Sequence, residues 1–290
     1  MQKVRIVTDT VAQLTEESAQ IHRIKVVPAA TIFCDGRIYI DGVDIRPTEA
    51  YQLLAQNPSQ FRTAAIPPDY FNKAFEEMSN TVQEILCITV SSKLSGVFNS
   101  AVVASEQIRE RAPKLQIRVF DSMNAAGGEG LIVLAAARAA AKGLDIKEVT
   151  AVAERARADS ECLFVFDTLR YTYRTGRVPK VVSQGADALG IRPLCRIGRD
   201  GRVHFIGLSR SRKKGTQRMI KIAQERVGDM SIHAMIMHTA ALADAEELKA
   251  RVVRDFNCVD VFISEFSPVM GYSTGPGVLG IAVCPVFDIA

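Results

Sequence analysis

The sequence predicts an α/β protein of two domains, residues 1–158 and 159–290. The first domain is expected to hold a parallel sheet covered by helices, and the second a mixed sheet. Short runs typical of strands alternate with helical patterns in the first half, and this alternation indicates a parallel sheet. After residue 158 the pattern changes to short strand runs separated by turn residues. The 290-residue length is enough for two modest domains.

Four apolar runs of the first domain predict strands, at residues 4–8, 25–33, 84–90 and 116–120. Helical spacing predicts helices at residues 15–20, 47–55, 68–78, 95–111, 130–142 and 146–158. Pro47 and Pro68 stand where a first helical residue is expected, a position that tolerates proline because its missing N–H would be unpaired anyway. Gly143 ends the alanine-rich helix, and Asp145 opens the next one.

The second domain begins with a predicted strand at 162–167 and a basic, aromatic helix at 168–174. Two strand runs, 191–197 and 202–208, are separated by the turn residues 198–201, which predicts a hairpin. The remaining pattern predicts helices at 213–226 and 243–255 and strands at 231–238, 259–265 and 280–285.

Composition excludes several classes of protein. With 48% hydrophobic residues, 23% charged residues and a net charge of +4, the chain is neither disordered nor basic enough to imply a nucleic-acid partner. Its six cysteines are far apart and form no CxxC pair, so we expect buried, reduced thiols. Four scattered histidines predict no metal site, and nothing in the sequence calls for a cofactor. The chain begins directly with a strand pattern and has no membrane-length apolar run, which predicts a cytoplasmic protein without a signal peptide.

Two literal motifs are rejected as nucleotide or catalytic sites. Residues 275–280 read GxGxxG, but the sequence ends ten residues later, without room for the helix, strand and acidic residue of a dinucleotide site. Close approach of the backbone explains these glycines better. Asp9 follows the first strand but lacks the second aspartate of aspartate-nucleophile phosphatases. A turn or cap role explains Asp9 at least as well as contact with a ligand does. No GxSxG elbow or phosphate-binding P-loop occurs.

Residues 91–96, Ser-Ser-Lys-Leu-Ser-Gly, are the most informative stretch, and we call them the serine turn. They lie between a predicted buried strand and a predicted helix. The first turn of a helix has unpaired N–H groups and partial positive charge, which favour a carboxylate or phosphate. The alternative is that Ser92 or Ser95 only caps its own helix.

Two further hydroxyl-bearing segments are predicted turns. Thr63 precedes the helix that begins with Pro68, and Ser273 and Thr274 precede the glycines of 275–280. Together with the serine turn they make three hydroxyl-rich turns that contain almost no ionisable group. Such a set is suited to holding an oxyanion rather than to moving protons.

The order of these motifs resembles the DegV family of bacterial fatty-acid-binding proteins, almost from end to end. The matching segments are residues 7–10, 63, 91–96, 121–122, 175–177, 191–194 and 274–280. The resemblance implies a two-domain α/β protein that encloses one long-chain fatty acid, with the carboxylate held by hydroxyls and the acyl chain in an apolar tunnel. It also implies a partner, the ATP-binding subunit of a fatty-acid kinase, which would phosphorylate the bound acid to an acyl phosphate for phospholipid synthesis.

The resemblance also implies site residues. The carboxylate-binding serine falls within residues 91–95, with Ser92 the favoured position, and the arginine associated with the kinase falls on Arg177. Arg174, in the basic, aromatic helix before it, is also predicted to bind the partner, and a solvated helix face is the alternative. The predicted carboxylate-binding set is Thr63, Ser92, Ser95, Gly96, Ser273 and Thr274. Three family positions differ here, where Ala64, Thr175 and Ser273 replace a hydroxyl residue, a glycine and a histidine. The resemblance implies that each of these positions lies near the carboxylate of the bound acid or on the surface that meets the kinase.

Other functions remain open at this point. The serine turn could serve an acyl hydrolase that uses Ser92, or a phosphotransferase related to dihydroxyacetone-type kinases, although no general base stands near the serines. A regulatory binder of another carboxylate is a third alternative. Apolar residues at 32–33, 164–166 and 279–281 are candidates for the tunnel wall, and packing in an ordinary core explains them equally well.

Overall fold

The computed structural model describes residues 2–178 and 191–287. Its strands are β1 (Val4–Asp9), β2 (Lys25–Val27), β3 (Ala30–Cys34), β4 (Arg37–Ile40), β5 (Arg62–Ala65), β6 (Glu84–Thr89), β7 (Gln116–Asp121), β8 (Glu161–Val165), β9 (Arg192–Ile197), β10 (Val203–Ser209), β11 (Ile232–His238), β12 (Cys258–Glu265) and β13 (Leu279–Pro285). Its α-helices are α1 (Glu16–Ile21), α2 (Pro47–Gln56), α3 (Pro68–Ser79), α4 (Val97–Arg111), α5 (Ala126–Ala141), α6 (Ile146–Asp159), α7 (Arg170–Arg174), α8 (Arg212–Val227), α9 (Leu242–Asp255) and α10 (Pro268–Thr274).

The first half contains the predicted parallel sheet, in the order β2-β1-β6-β7. Its central strands are buried, as expected for a sheet covered on both faces. The carboxyl ends of β1, β6 and β7 lie at one edge of the sheet, where Thr89 is paired with Asp121. Ligands of open parallel sheets bind at this edge, and the serine turn follows β6 there.

The second half contains the predicted mixed sheet, in the order β10-β9-β8-β13-β11-β12. Of these pairs, β11 and β12 are parallel and the others are antiparallel. The hairpin between β9 and β10 is confirmed, with Ile197 paired to Val203. The α/β class with one parallel and one mixed sheet is therefore confirmed, while the boundary at residue 158 stays a prediction.

Helix α5 packs between the two sheets and contacts β1 on one side and β11 and β13 on the other. Glycine and alanine make this close approach possible. A Cβ atom at Gly130 would lie 2.3 Å from the carbonyl oxygen of Ala12, and one at Gly127 would lie 3.1 Å from the Cβ of Met235. The prediction that this helix begins at residue 130 was wrong, because Ala126 and the glycines after it are already helical and buried.

A small antiparallel sheet, in the order β4-β3-β5, was not predicted. The single strand predicted at 25–33 is two strands in different sheets, β2 and β3. Pro28 lies between them, and its missing N–H interrupts a hydrogen-bonded ladder. Thr63 lies on β5 rather than in a turn.

The segment before the last glycines also differs from the prediction. Ser273 and Thr274 end helix α10, which begins with Pro268 at its first position, whereas the sequence predicted a turn. All six cysteines are free thiols and Cys258 alone is not buried. No α-helix among residues 2–178 and 191–287 is long and apolar enough to cross a membrane.

Candidate functional site

A cavity lies between the two halves of the chain, at the carboxyl edge of the parallel sheet. Its volume is about 140 Å³, below the roughly 300–1,000 Å³ typical of small-molecule sites. Val11 and Val90, which follow β1 and β6, form part of its wall. Phe164, Phe166 and Ile197 line it from the second half. The wall is mostly apolar, so the cavity suits a hydrocarbon chain.

Strand alternation explains which aromatic residues face the cavity. Phe164 and Phe166 line it, whereas Leu163 and Val165, on the opposite face, belong to a core cluster with α8 residues. Of the segments predicted to form the tunnel wall, residues 164–166 therefore line the cavity through their two phenylalanines. Residues 32–33 and 279–281 are not among the lining residues, and Ile32 and Ile281 lie in separate core clusters.

The serine turn lies at one part of the cavity wall. Ser95 and Gly96 line the cavity, and Gly96 is the residue before α4. The Ser95 hydroxyl oxygen accepts a long, 3.4 Å hydrogen bond from the Val97 N–H and keeps its own proton for another partner. Ser91 is fully buried, and its hydroxyl donates to the Gly201 carbonyl at 2.8 Å, which ties the turn to the second half of the chain.

Ser92 is placed differently from Ser95. It is half-buried and is not among the residues that line the cavity. Its backbone N–H donates to the Asp121 carboxylate at 3.2 Å, so this carboxylate holds the turn in position. The serine of the turn that meets the cavity is thus Ser95.

Strand β5 brings Thr63 and its two alanine neighbours, Ala64 and Ala65, to the same cavity. A Cβ atom at Gly96 would lie 3.3 Å from the Cβ of Ala65, which shows how closely the strand passes the beginning of α4. This close approach explains why a glycine is favourable at position 96. Thr63 and Ser95 therefore line one cavity although 32 positions separate them in sequence.

The last turn of α10 supplies two further hydroxyls to the lining. The Ser273 hydroxyl donates to the Val269 carbonyl at 3.0 Å, and the Thr274 hydroxyl donates to the Met270 carbonyl at 2.8 Å. A hydroxyl has only one proton to donate. In this arrangement the hydroxyls of Ser273 and Thr274 can accept hydrogen bonds from a molecule in the cavity but cannot donate one to it.

The beginning of α10 is fixed by side chains of the first half. The buried Asp41 carboxylate accepts from the Val269 N–H at 2.9 Å, and Gln13 Oε1 accepts from the Ser267 N–H at 3.1 Å. Tyr51 donates its phenolic hydrogen to the Phe266 carbonyl. Burial raises the pKa of Asp41 to about 6. These bonds hold α10 across the cavity.

Arg177 is the one ionisable side chain among the described lining residues. Its Nε donates to the Leu94 carbonyl at 3.2 Å, which joins the end of α7 to the serine turn, and desolvation lowers the pKa of its guanidinium. Arg174 is exposed and does not line the cavity. Its guanidinium donates to the Pro58 carbonyl at 2.6 Å and lies over the Tyr272 ring, 5.1 Å from the ring centre.

Thr172 lines the cavity too, and the sequence reasoning did not select it. Its segment was interpreted only as a basic, aromatic helix. A single threonine in a five-residue helix has no periodic signal, so its position was visible only in three dimensions.

Two buried carboxyls lie behind the cavity wall. Asp9 accepts hydrogen bonds from the N–H groups of Val11 and Val90, both at 2.9 Å, and so positions the two lining valines. Burial raises the pKa of Asp9 to about 7, and burial together with the neighbouring Asp9 raises that of Glu129. Asp9 therefore has the structural turn role. In the described part of the chain, no group of three or more histidine, cysteine or acidic residues is arranged to hold a metal ion.

The chain was compared with known proteins. A family model described as an uncharacterised protein of the DegV family matches residues 3–286. A DegV domain-containing protein from Caldanaerobacter subterraneus subsp. tengcongensis is 30% identical over 282 residues, which cover 97% of this chain and 98% of that protein. One from Streptomyces coelicolor is 31% identical over 285 residues, which cover 97% and 98%.

Solved structures are similar over the whole chain. A DegV family protein from Thermus thermophilus, described by its fatty acid binding, has a TM-score of 0.89 and 26% identity, and the match covers 98% of this chain and all of that chain. A protein from Thermotoga maritima, described as revealing a fatty acid binding function, has a TM-score of 0.86 and 25% identity, with 99% and 100% covered. The Fatty Acid Kinase (Fak) B3 protein of Streptococcus pneumoniae, loaded with linoleic acid, shares the fold with a TM-score of 0.86 and 21% identity, over 98% of this chain and 100% of that chain.

Proposed function

The chain belongs to the DegV family, and from that premise we propose that it binds one long-chain fatty acid in the cavity. In this proposal the carboxylate lies at Thr63, Ser95 and Gly96, and the acyl chain lies against the apolar wall. The observation that carries the proposal is the composition of the cavity wall. Most of the described lining residues are apolar, some carry unpaired hydrogen-bond donors, and none is acidic. The two relatives of known structure described as fatty-acid-binding support it.

The two parts of the site would contribute differently to binding. Burial of each methylene is worth about 0.8 kcal/mol, so roughly fifteen of them give on the order of 12 kcal/mol before ordering costs. The acyl chain therefore dominates affinity. Hydroxyl and N–H donors stabilise the buried carboxylate, which would otherwise carry a large desolvation cost, and so they fix the orientation of the lipid.

Calorimetric titration of delipidated protein with hexadecanoate and oleate tests the proposal. We expect one acid per chain, and affinity that increases with chain length up to the length of the cavity. Absence of saturable binding by either acid would contradict it.

We further propose that the protein presents the bound carboxylate to the ATP-binding subunit of a fatty-acid kinase. Arg177 supports this proposal because it lines the cavity and is also exposed at the surface, next to the serine turn. Arg174 lies nearby and is exposed, so the two arginines form a basic surface beside the head-group end. We expect Arg177→Ala to retain saturable fatty-acid binding and to lose acyl phosphate formation with the kinase subunit and ATP. Arg111→Ala, at the far end of α4, is the matched control; equal loss in both variants would contradict a specific role for Arg177.

The proposal is a carrier without chemistry of its own, not an acyl hydrolase. Activation of Ser95 as a nucleophile would require a base within hydrogen-bond reach. The described lining residues contain no histidine, cysteine, lysine or carboxylate that could take its proton. Incubation with a 4-nitrophenyl acyl ester checks this directly. Turnover that is lost in Ser95→Ala would favour the hydrolase instead.

A further inference from the structure

Helix α7 places an unpaired hydroxyl in the cavity wall. The Thr172 side chain is buried, with 3% of the residue exposed, and its hydroxyl has no hydrogen-bond partner among the described residues. Among the described buried threonines, Thr150 donates to the Ile146 carbonyl; Thr239 is also unpaired, but it does not line the cavity. A buried polar group without a partner is uncommon because its desolvation is uncompensated. Thr172 lines the cavity, so a bound molecule can supply the missing partner.

Thr172 is connected by a short chain of contacts to the head-group end of the proposed site. The Arg177 N–H donates to the Thr172 carbonyl at 3.0 Å, and Arg177 Nε donates to the Leu94 carbonyl at 3.2 Å. Leu94 directly precedes Ser95 in the serine turn. Through Arg177, the backbone of Thr172 is therefore linked to the serine turn.

The supply of donors indicates what Thr172 would bind. A carboxylate has acceptor atoms only, so it needs N–H or O–H groups around it. Ser273 and Thr274 already donate to carbonyls of their own helix. The lining hydroxyls that keep a proton to donate are those of Thr63, Ser95 and Thr172.

We infer that the Thr172 hydroxyl donates a hydrogen bond to the carboxylate of the bound fatty acid and is a residue of the head-group site. This inference rests on the proposed function. It adds a contact from the second half of the chain to the donors supplied by β5 and the serine turn. The carboxylate would then be held from both sides of the cavity.

The test compares Thr172→Val with Thr172→Ser and with Thr150→Val, using delipidated protein and hexadecanoate. Valine keeps the shape of threonine and removes the hydroxyl. We expect Thr172→Val to weaken hexadecanoate binding about tenfold and Thr172→Ser to bind within about threefold of wild type. The melting temperature of unliganded Thr172→Val should not fall, because no bond within the protein is lost. Thr150→Val should melt at a lower temperature and bind hexadecanoate as wild type does.

Three results would overturn the inference. Affinity of Thr172→Val equal to or tighter than that of wild type would show that the hydroxyl does not contact the ligand. Equal losses of affinity in Thr172→Val and Thr172→Ser would show that packing, not the hydroxyl, is responsible. If wild type binds no fatty acid, the proposed function fails and this inference fails with it, an outcome distinct from the other two. Should Thr172→Val not fold, Thr172→Ala is measured in its place against the same criteria.

Discussion

Ser95→Ala separates the head-group contribution from that of the acyl chain. Ser95 lines the cavity, and within the protein its hydroxyl is engaged only by the long hydrogen bond from the Val97 N–H. The substitution therefore removes a donor from the proposed carboxylate site and leaves the apolar wall as it is. Ser92→Ala is the matched control, because Ser92 belongs to the same turn and does not line the cavity.

The magnitude follows from the kind of hydrogen bond that is lost. A bond to a charged group contributes about 1.5–3 kcal/mol, which corresponds to binding weaker by about 10- to 150-fold. The methylene burial of roughly 12 kcal/mol is unchanged, so the acid still binds. A 3.4 Å bond within the turn is long for N–H to oxygen, and we expect a stability loss below about 1 kcal/mol.

The assay is calorimetric titration of delipidated wild type, Ser95→Ala and Ser92→Ala with hexadecanoate and with its methyl ester. The ester is neutral, so Ser95→Ala should reduce its affinity less than that of the acid. Urea unfolding of each unliganded variant checks that the fold is retained. If Ser92→Ala weakens acid binding more than Ser95→Ala does, the sequence-based choice of Ser92 is right and Ser95 does not hold the carboxylate.

Three further predictions concern the cavity mouth, the helix between the sheets and the buried acids. Ala64→Phe, at an exposed position that lines the cavity, should weaken hexadecanoate binding at least tenfold without lowering the melting temperature; unaltered affinity would place the entrance elsewhere. Gly130→Ala should destabilise the protein by about 1–3 kcal/mol in urea unfolding, because the added Cβ would meet the Ala12 carbonyl. If the variant is as stable as wild type, α5 does not pack this closely against Ala12. Since the pKa of Asp9 is raised to about 7 and that of Glu129 is raised as well, the native state keeps protons that the unfolded chain releases. Stability should then fall as pH rises from about 4 to about 7. Glu129→Gln should reduce this fall, and an identical pH profile in the variant would show that Glu129 does not titrate with folding.

The sequence predicted the parallel sheet well because its strands are continuous apolar runs followed by helical periodicity. It predicted less well where one residue interrupts a run. Pro28 divides the segment 25–33 between two sheets, and no local pattern tells which sheet each part joins. Strands β4 and β5 are short and contain no buried residue, so they lack an alternation of buried and exposed positions.

For the site, the sequence located the serine turn and Thr63 but not the contacts between them. Proximity of β5 to α4 depends on a long-range approach at Gly96 that spacing does not reveal. Ser273 and Thr274 line the cavity, and their predicted contact with a carboxylate stays a prediction. Their hydroxyls donate to helix carbonyls because they end α10, and the glycine-rich composition of this segment did not predict that helix. Thr172 was missed because the lack of a hydrogen-bond partner for its hydroxyl depends on how the folded chain packs around it, which the sequence pattern does not show.

Native mass spectrometry of the protein purified without delipidation, followed by solvent extraction of what it carries, tests the central claim most directly. The account predicts a bound mass that corresponds to one long-chain fatty acid per chain, released on extraction as a free acid. A protein that carries no lipid and gains no mass when incubated with hexadecanoate or oleate would contradict it.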